Sequence, residues 1–328
     1  MHVTPLVWWT TILVTSAILV FDVVVIGRRP HEPSRREVVT ALTVYIGLAV
    51  LFGLGVWYFA GSQYGGEFFA GWLTEYSLSI DNLFIFIVIM GKLAVPRELQ
   101  QSALMVGIVL ALILRGIFIA VGAAAIAQFS WVFYIFGLFL VLTAVNLVRE
   151  AGDEDGGYDE PRLVRFARRH LPFTDTWNGP KLTVHENGSR LFTPMFLVIL
   201  TLGVTDLLFA LDSIPAIYGL TSEPYLVLTA NIFALMGLRQ LYFLIGGLLK
   251  RLVFLSYGLA VLLGFIGVKL ILHAMHENEL PFINGGEHVS WAPDIPIWLS
   301  LVVIISTLAV TAVASLLKTR RDSRRSAA

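Results

Sequence analysis

The chain has 328 residues, of which 57% are hydrophobic and only 14% charged, with no net charge and no cysteine. A soluble domain carries about a quarter charged residues, so this composition belongs to a membrane protein. The lack of cysteine excludes disulfides, thiolate metal sites and cysteine redox chemistry. The zero net charge singles out no macromolecular partner, and none of nucleic-acid type is expected.

The apolar residues fall in runs of roughly 20, the length that spans hydrocarbon as a helix. Nine segments are predicted, at 6–26, 38–60, 66–91, 102–126, 129–148, 194–218, 225–248, 252–273 and 296–317. Segment 1 lacks a basic leader and a small-residue cleavage site and is followed by Arg28, Arg29, Arg35 and Arg36, so it reads as a retained helix. Lys92 and Arg97 follow segment 3, and seven basic residues from Arg149 to Arg190 follow segment 5. Lys250 and Arg251 follow segment 7, and the tail from Lys318 to Arg325 is basic. Every alternate loop has no Lys or Arg. Basic loops stay cytoplasmic, which predicts the N-terminus outside and the C-terminus inside.

Segment 3 contains Thr74-Glu75-Tyr76-Ser77-Leu78-Ser79-Ile80-Asp81-Asn82. Segment 4 contains Leu114-Arg115-Gly116, and segment 5 contains Val145-Asn146-Leu147. The loop at 149–193 opens on an acidic, glycine-rich stretch, 152–157, which is expected to be disordered. It continues into the basic amphipathic stretch Arg162–His170, which reads as an inner-leaflet surface helix or as a regulatory, partner-binding element. Segment 6 then repeats the first motif as Thr205-Asp206-Leu207-Leu208-Phe209-Ala210-Leu211-Asp212-Ser213. Segment 7 carries Leu238-Arg239-Gln240 and segment 8 carries Val268-Lys269-Leu270.

These matches recur at offsets of 131, 124 and 123, so three helices are repeated in order. An odd number of helices per unit inverts the second copy in the membrane, a plan in which secondary transporters place their site near midplane. The expected fold is therefore all-α and polytopic, with an inverted repeat of three plus three helices. Its parts are scaffold helices 1 and 2 (1–65), repeat 1 (66–148), the cytoplasmic loop (149–193), repeat 2 (194–273), and an outer loop, helix 9 and basic tail (274–328).

Carboxylates inside membrane-length apolar runs are costly and point to function. Asp22, Glu75, Asp81, Asp206 and Asp212 face Arg115, Arg239 and Lys269 as the embedded charges, an excess of two acids that one divalent cation would balance. Six residues turn a regular helix through about 600°, so the two acids of each motif do not share a face. Either the helices unwind locally, or each acid meets a different neighbour; Pro215 favours a kink. Residues seven apart, such as Asp206 and Ser213, nearly do share a face. The expected metal ligands are Glu75, Asp81, Asn82, Asp206, Asp212 and Ser213, with Arg115, Arg239, Thr74, Thr205 and Lys269 as supporting groups or counter-ions. Oxygen donors suit Mn, Mg or Ca and disfavour Cu(I). Acid–arginine pairs that merely pin helices are the plainer alternative. Lys269 has a second reading, snorkelling to the surface. On the outer side, His273, His276 and Glu277 read either as a metal site or as part of a solvated loop. No phosphate loop, G-x-S-x-G elbow or H-E-x-x-H is present, so no enzyme is expected.

Glu75-Tyr76-Ser77-Leu78-Ser79-Ile80-Asp81-Asn82 and Asp206-Leu207-Leu208-Phe209-Ala210-Leu211-Asp212-Ser213-Ile214-Pro215-Ala216-Ile217 resemble the two signature motifs of the TerC/Alx family, as does the stretch from His273 to Gly286. The likeness covers roughly residues 5–318. That family is similar to lysine-exporter-type transporters. The resemblance implies manganese export across the bacterial cytoplasmic (inner) membrane, with Glu75, Asp81, Asp206 and Asp212 as carriers, Mn²⁺ as substrate and no permanently bound cofactor. The family name invokes tellurite resistance, but a carboxylate pocket would repel an oxyanion, so an indirect role in metal stress fits better. Alternating access around Asp81 and Asp212, completed by Glu75 and Asp206 and driven by proton antiport, is the expected mechanism. A membrane-embedded assembly or metal-delivery factor, contacting protein partners through the 149–193 loop, is the alternative, and a purely structural subunit is a third reading.

Overall fold

A computed structural model describes residues 3–28, 34–129, 131–150, 161–186, 189–245, 253–278, 280, 283–284, 287–289, 291–293 and 295–325. All nine apolar segments are helical: α1 (Pro5–Arg28), α2 (Arg35–Ala60), α3 (Ser62–Lys92), α4 (Arg97–Gln128), α5 (Val132–Glu150), then α7 (Pro194–Tyr218), α8 (Pro224–Met236) with α9 (Leu238–Ile245), α10 (Leu255–His276) and α11 (Ile297–Arg325). Eight spans are long and apolar enough to cross a membrane, and the described part of α1 adds a shorter apolar helix, Pro5–Phe21. Helices are the expected solution because hydrocarbon offers no partner to an open backbone group.

Segment 7 departs from expectation. It is two helices, broken at Gly237, whose N–H bonds to the Leu235 carbonyl instead of continuing the ladder. A Cβ at Gly237 would lie 3.2 Å from Leu42 Cδ1 and 3.7 Å from a Tyr76 ring carbon, so α2 and α3 press on the break.

The loop also differs. The stretch 152–157 lies outside the described residues. The basic stretch forms α6 (Arg162–His170), which buries Val164 and Ala167 and packs on α7, while Leu163 and Phe166 stay exposed on the same helix as Arg165, Arg168 and Arg169. A small antiparallel hairpin follows, β1 (Thr183–Glu186) with β2 (Ser189–Phe192), in the register Val184 opposite Leu191 and His185 opposite Arg190. Asn187-Gly188 between the two runs is a known hairpin signal in the sequence.

At the centre α3 packs on α8, α4 on α7 and α5 on α10, with α3 also touching α7. Helix α2 flanks α3, α8 and α9, α1 touches α4 and α8, and α11 flanks α3 and α10. These outer helices turn large apolar side chains outward, among them Leu13, Phe21, Leu51, Phe59, Val302 and Val310.

Lipid tails are as apolar as leucine, so helices hold together by close packing at small residues. The α5–α10 contact is of this kind. A Cβ at Gly137 would lie 2.7 Å from the Gly267 carbonyl oxygen, and one at Gly267 would lie 2.8 Å from that of Gly137. Backbone cannot yield as a side-chain tip can. Gly267→Val is therefore expected to destabilise the protein by about 1–3 kcal/mol, read as a lowered unfolding midpoint in detergent. Gly55→Ala, with nothing within 4 Å of its Cβ, should leave the midpoint unchanged or raised.

Candidate cation site

Helices α3 and α7 run unbroken through both motifs, and the two acids of the second motif meet different neighbours. The first acid of each motif faces inward to a single cation. Arg115 on α4, 1% exposed, donates from Nε to Asp206 Oδ2 at 3.0 Å and from Nη2 to Asp206 Oδ1 at 3.1 Å, a two-pronged grip. Its Nη1 donates to Glu75 Oε1, to Ser213 Oγ at 3.3 Å and to Asn231 Oδ1 at 3.1 Å. The guanidinium fork matches carboxylate geometry, which suits arginine rather than lysine here. Asp206 and Ser213, seven residues apart, do present one face. Arg115 is thus a direct partner of both acids rather than a distant counter-ion.

The site around this cluster is rich in unused oxygen. Glu75 Oε2, Thr74 Oγ1 and Thr205 Oγ1 are buried and make no hydrogen bond among the described residues. Each such group costs about 1–3 kcal/mol unless a ligand or solvent meets it. The two motif threonines and a motif acid thus each carry a buried oxygen of the hard-donor type.

Asp212 turns the other way, toward α5. It lines a separate cavity of about 290 Å³ with Asn82 of the first motif and with Thr143 and Asn146 of α5. The Thr143 hydroxyl hydrogen-bonds the Asp212 carboxylate. This cavity again offers only oxygen and amide groups among apolar walls formed by Leu78, Phe209 and Leu263. Five of the six expected ligands thus divide between two places: Glu75, Asp206 and Ser213 at Arg115, and Asn82 and Asp212 in the cavity. The side chains of Asp81 and Asp22 lie outside the described residues. Among the described residues, no three His, Asp or Glu groups stand together in a metal-holding cluster.

The remaining expectations fall elsewhere. Arg239, matched to Arg115 in sequence, lines a small space with Leu19, Met105 and Met236 instead of the Asp212 cavity. Lys269 donates to Ser300 Oγ at 3.2 Å, and Ser300 is fully buried, so the ammonium is engaged inside the bundle. His273 packs edge-on against Phe133, with ring centroids 5.0 Å apart. His276 instead accepts at its backbone carbonyl from His288 Nδ1. After α10, Asn278 donates to the Ile283 carbonyl at 2.7 Å and accepts from Leu280 N–H. Glu279 and Asp294 lie outside the described residues.

Three site groups escaped the sequence reading. Asn231 and Thr143 are uncharged and carry no signal in an apolar run. Glu67 is 8% exposed inside α3, yet it stands second in the predicted segment 66–91 and reads there as an interfacial residue. It makes six embedded acids against three bases, one more than the sequence balance counted.

The chain is 47% identical over 318 residues to the uncharacterized membrane protein Rv2723 of Mycobacterium tuberculosis, covering 96% of this chain and 80% of that one. It is 38% identical over 316 residues to a membrane protein of Myxococcus xanthus, STKORF319, covering 96% and 93%. Alx of Escherichia coli K12, whose name proposes a membrane-bound redox modulator, is 36% identical over 317 residues, covering 94% and 93%. No solved structure matches the chain. The model of the integral membrane protein TerC family matches residues 60–323, a span that takes in both acidic motifs, Arg115 and the stretch from His273 to Gly286, and the chain belongs to that family.

Proposed function

We propose that the protein is a secondary-active exporter of divalent cations, Mn²⁺ foremost, acting in a bacterial cytoplasmic membrane with the N-terminus outside and the C-terminus inside. The observation that carries this reading is the buried Arg115, which holds one acid from each motif while Asp212 opens onto a cavity shared with the first motif. A guanidinium between Glu75 and Asp206 supplies the positive charge that a bound ion would bring, so the acids stay compensated when the ion is elsewhere.

The helix packing supports an inverted repeat. Exchanging α3 with α7, α4 with α8–α9 and α5 with α10 maps the contact of α4 with α7 onto that of α3 with α8 and leaves the α5–α10 contact in place. One unit rocking against the other would expose the acids alternately to each side. The break at Gly237 fits the interrupted helices common at transporter midplanes. An inside-negative potential opposes export by about 2.3 kcal/mol per charge per 100 mV, and protons moving inward on the same carboxylates supply the drive. With no cysteine, a redox role of the kind named for Alx would run here through the metal rather than a thiol pair.

Titration of the purified protein with Mn²⁺, read by loss of the free-ion electron paramagnetic resonance signal, tests the reading. Wild type should bind, and Asp212→Asn should bind at least tenfold more weakly. Equal binding in both proteins would contradict it. The exposed Leu163 and Phe166 of α6 favour a second role, contact with a membrane protein partner through the 149–193 loop. Deleting 152–192 should then abolish metal resistance in cells while Mn²⁺ binding persists.

A further inference from the structure

The proposed site leaves unused a larger polar cavity, of about 620 Å³, at the end of the bundle where α3 and α11 begin and α7 and α10 end. In the orientation proposed above this is the outer face. Gln63, Glu67, Thr221, Lys269 and His273 line it. Glu67 accepts from Thr221 Oγ1 at 2.6 Å on one oxygen and from Gln63 Nε2 at 3.2 Å on the other. Lys269 and His273 face it from α10, and Glu223 lies close by, its N–H bonded to Thr221 Oγ1 at 3.2 Å. Glu67 and Asn82 are separated by about 22 Å along α3, and Leu259 and Lys269 by about 15 Å along α10. The two cavities thus lie toward opposite ends of the bundle, with Arg115 at a level between them.

The repeat relates the two cavities at one telling position. Asn146 in repeat 1 matches Lys269 in repeat 2 at the offset of 123. Asn146 lines the Asp212 cavity and Lys269 lines the Glu67 cavity. One carboxylate therefore faces an amide oxygen, a donor for a hard cation, while the other faces a fixed ammonium that repels one. The oxygen ligands are otherwise comparable: a carboxylate, a threonine hydroxyl and a side-chain amide in each cavity.

We propose that the Glu67 cavity is the release station for the divalent cation, and that Lys269 is a tethered cation that holds its affinity low and so favours discharge over reloading. This rests on the transport reading above. Loading occurs at Asp212, beside a neutral amide, and release at Glu67, beside a charge that displaces the ion.

The test is Mn²⁺ titration of the purified full chain by paramagnetic resonance, with gel filtration and circular dichroism to show each variant folded. In an Asp212→Asn background, adding Lys269→Gln is expected to tighten the residual binding at least tenfold, and Lys269→Met should act alike. Adding Glu67→Gln should abolish that gain, and Lys269→Arg should show none. A folded Lys269→Gln or Lys269→Met variant without tightening, or a gain that survives Glu67→Gln, overturns the proposal. The readout separates the two readings. Wild type that binds no Mn²⁺ sinks the transport reading and this proposal with it. Wild-type binding that is lost in Asp212→Asn and not regained with Lys269→Gln sinks this proposal alone.

Discussion

Replacing Arg115 with methionine is expected to lower the unfolding free energy by about 3–5 kcal/mol, because it strands two buried carboxylates without a partner. Arg115 makes five hydrogen bonds to four side chains from three other helices, so its loss uncouples α3, α7 and α8 together. Arg115→Lys keeps the charge but not the fork on Asp206, and an intermediate loss should follow. The cost belongs to breaking the set rather than to the set itself. A triple variant, Arg115→Met with Glu75→Gln and Asp206→Asn, is therefore expected to recover most of the lost stability, since a neutral, well-packed replacement of a buried ion group is often no less stable. Thermal unfolding of the three proteins in one detergent checks this order. A triple variant as unstable as Arg115→Met alone would show that packing, not charge, dominates the cluster.

Asp206→Asn and Asp212→Asn should differ sharply although the residues sit six apart on one helix. Asp206 is 2% exposed and held by two bonds from a buried guanidinium, so its neutralisation removes charge-assisted bonds and leaves Arg115 undercompensated. A loss of about 2–5 kcal/mol is expected. Asp212 is half-buried on a cavity wall, with the Thr143 hydroxyl as its neighbour, and an amide can keep that hydrogen bond. Its substitution should change stability by under about 1 kcal/mol. Chemical denaturation of both proteins measures the contrast. Equal losses would mean that Asp212 is as structural as Asp206.

The nine apolar segments were legible because runs of about 20 apolar residues with few charges have few alternatives to spanning. The break at Gly237 was not, since it lies inside one membrane-length segment, and the Leu42 and Tyr76 side chains that approach it come from other helices. The hairpin carried its signal in Asn187-Gly188, outweighed by the polar composition of the loop around it. Of the candidate site, residue types and depth could be read from Glu75, Asp206 and Arg115. Which helix faces they meet could not: the offset of seven correctly paired Asp206 with Ser213, but nothing local says that Asp212 looks to α5 while Asp206 looks to α4. The match of Arg239 to Arg115 likewise did not tell that Arg239 lines a space with Leu19, Met105 and Met236. Glu67 was hidden by its place at the edge of a segment, where an acid ordinarily signifies only the water boundary.

The most direct measurement of the central claim is Mn²⁺ flux into proteoliposomes under an imposed pH gradient, comparing wild type with Asp81→Asn and Asp212→Asn. The account predicts gradient-dependent flux in wild type and at least a tenfold loss in the two variants, with all three proteins folded and equally abundant. Wild-type protein that is folded and moves no Mn²⁺, or Asp212→Asn protein that moves it at the wild-type rate, would contradict a transport site built on the motif carboxylates.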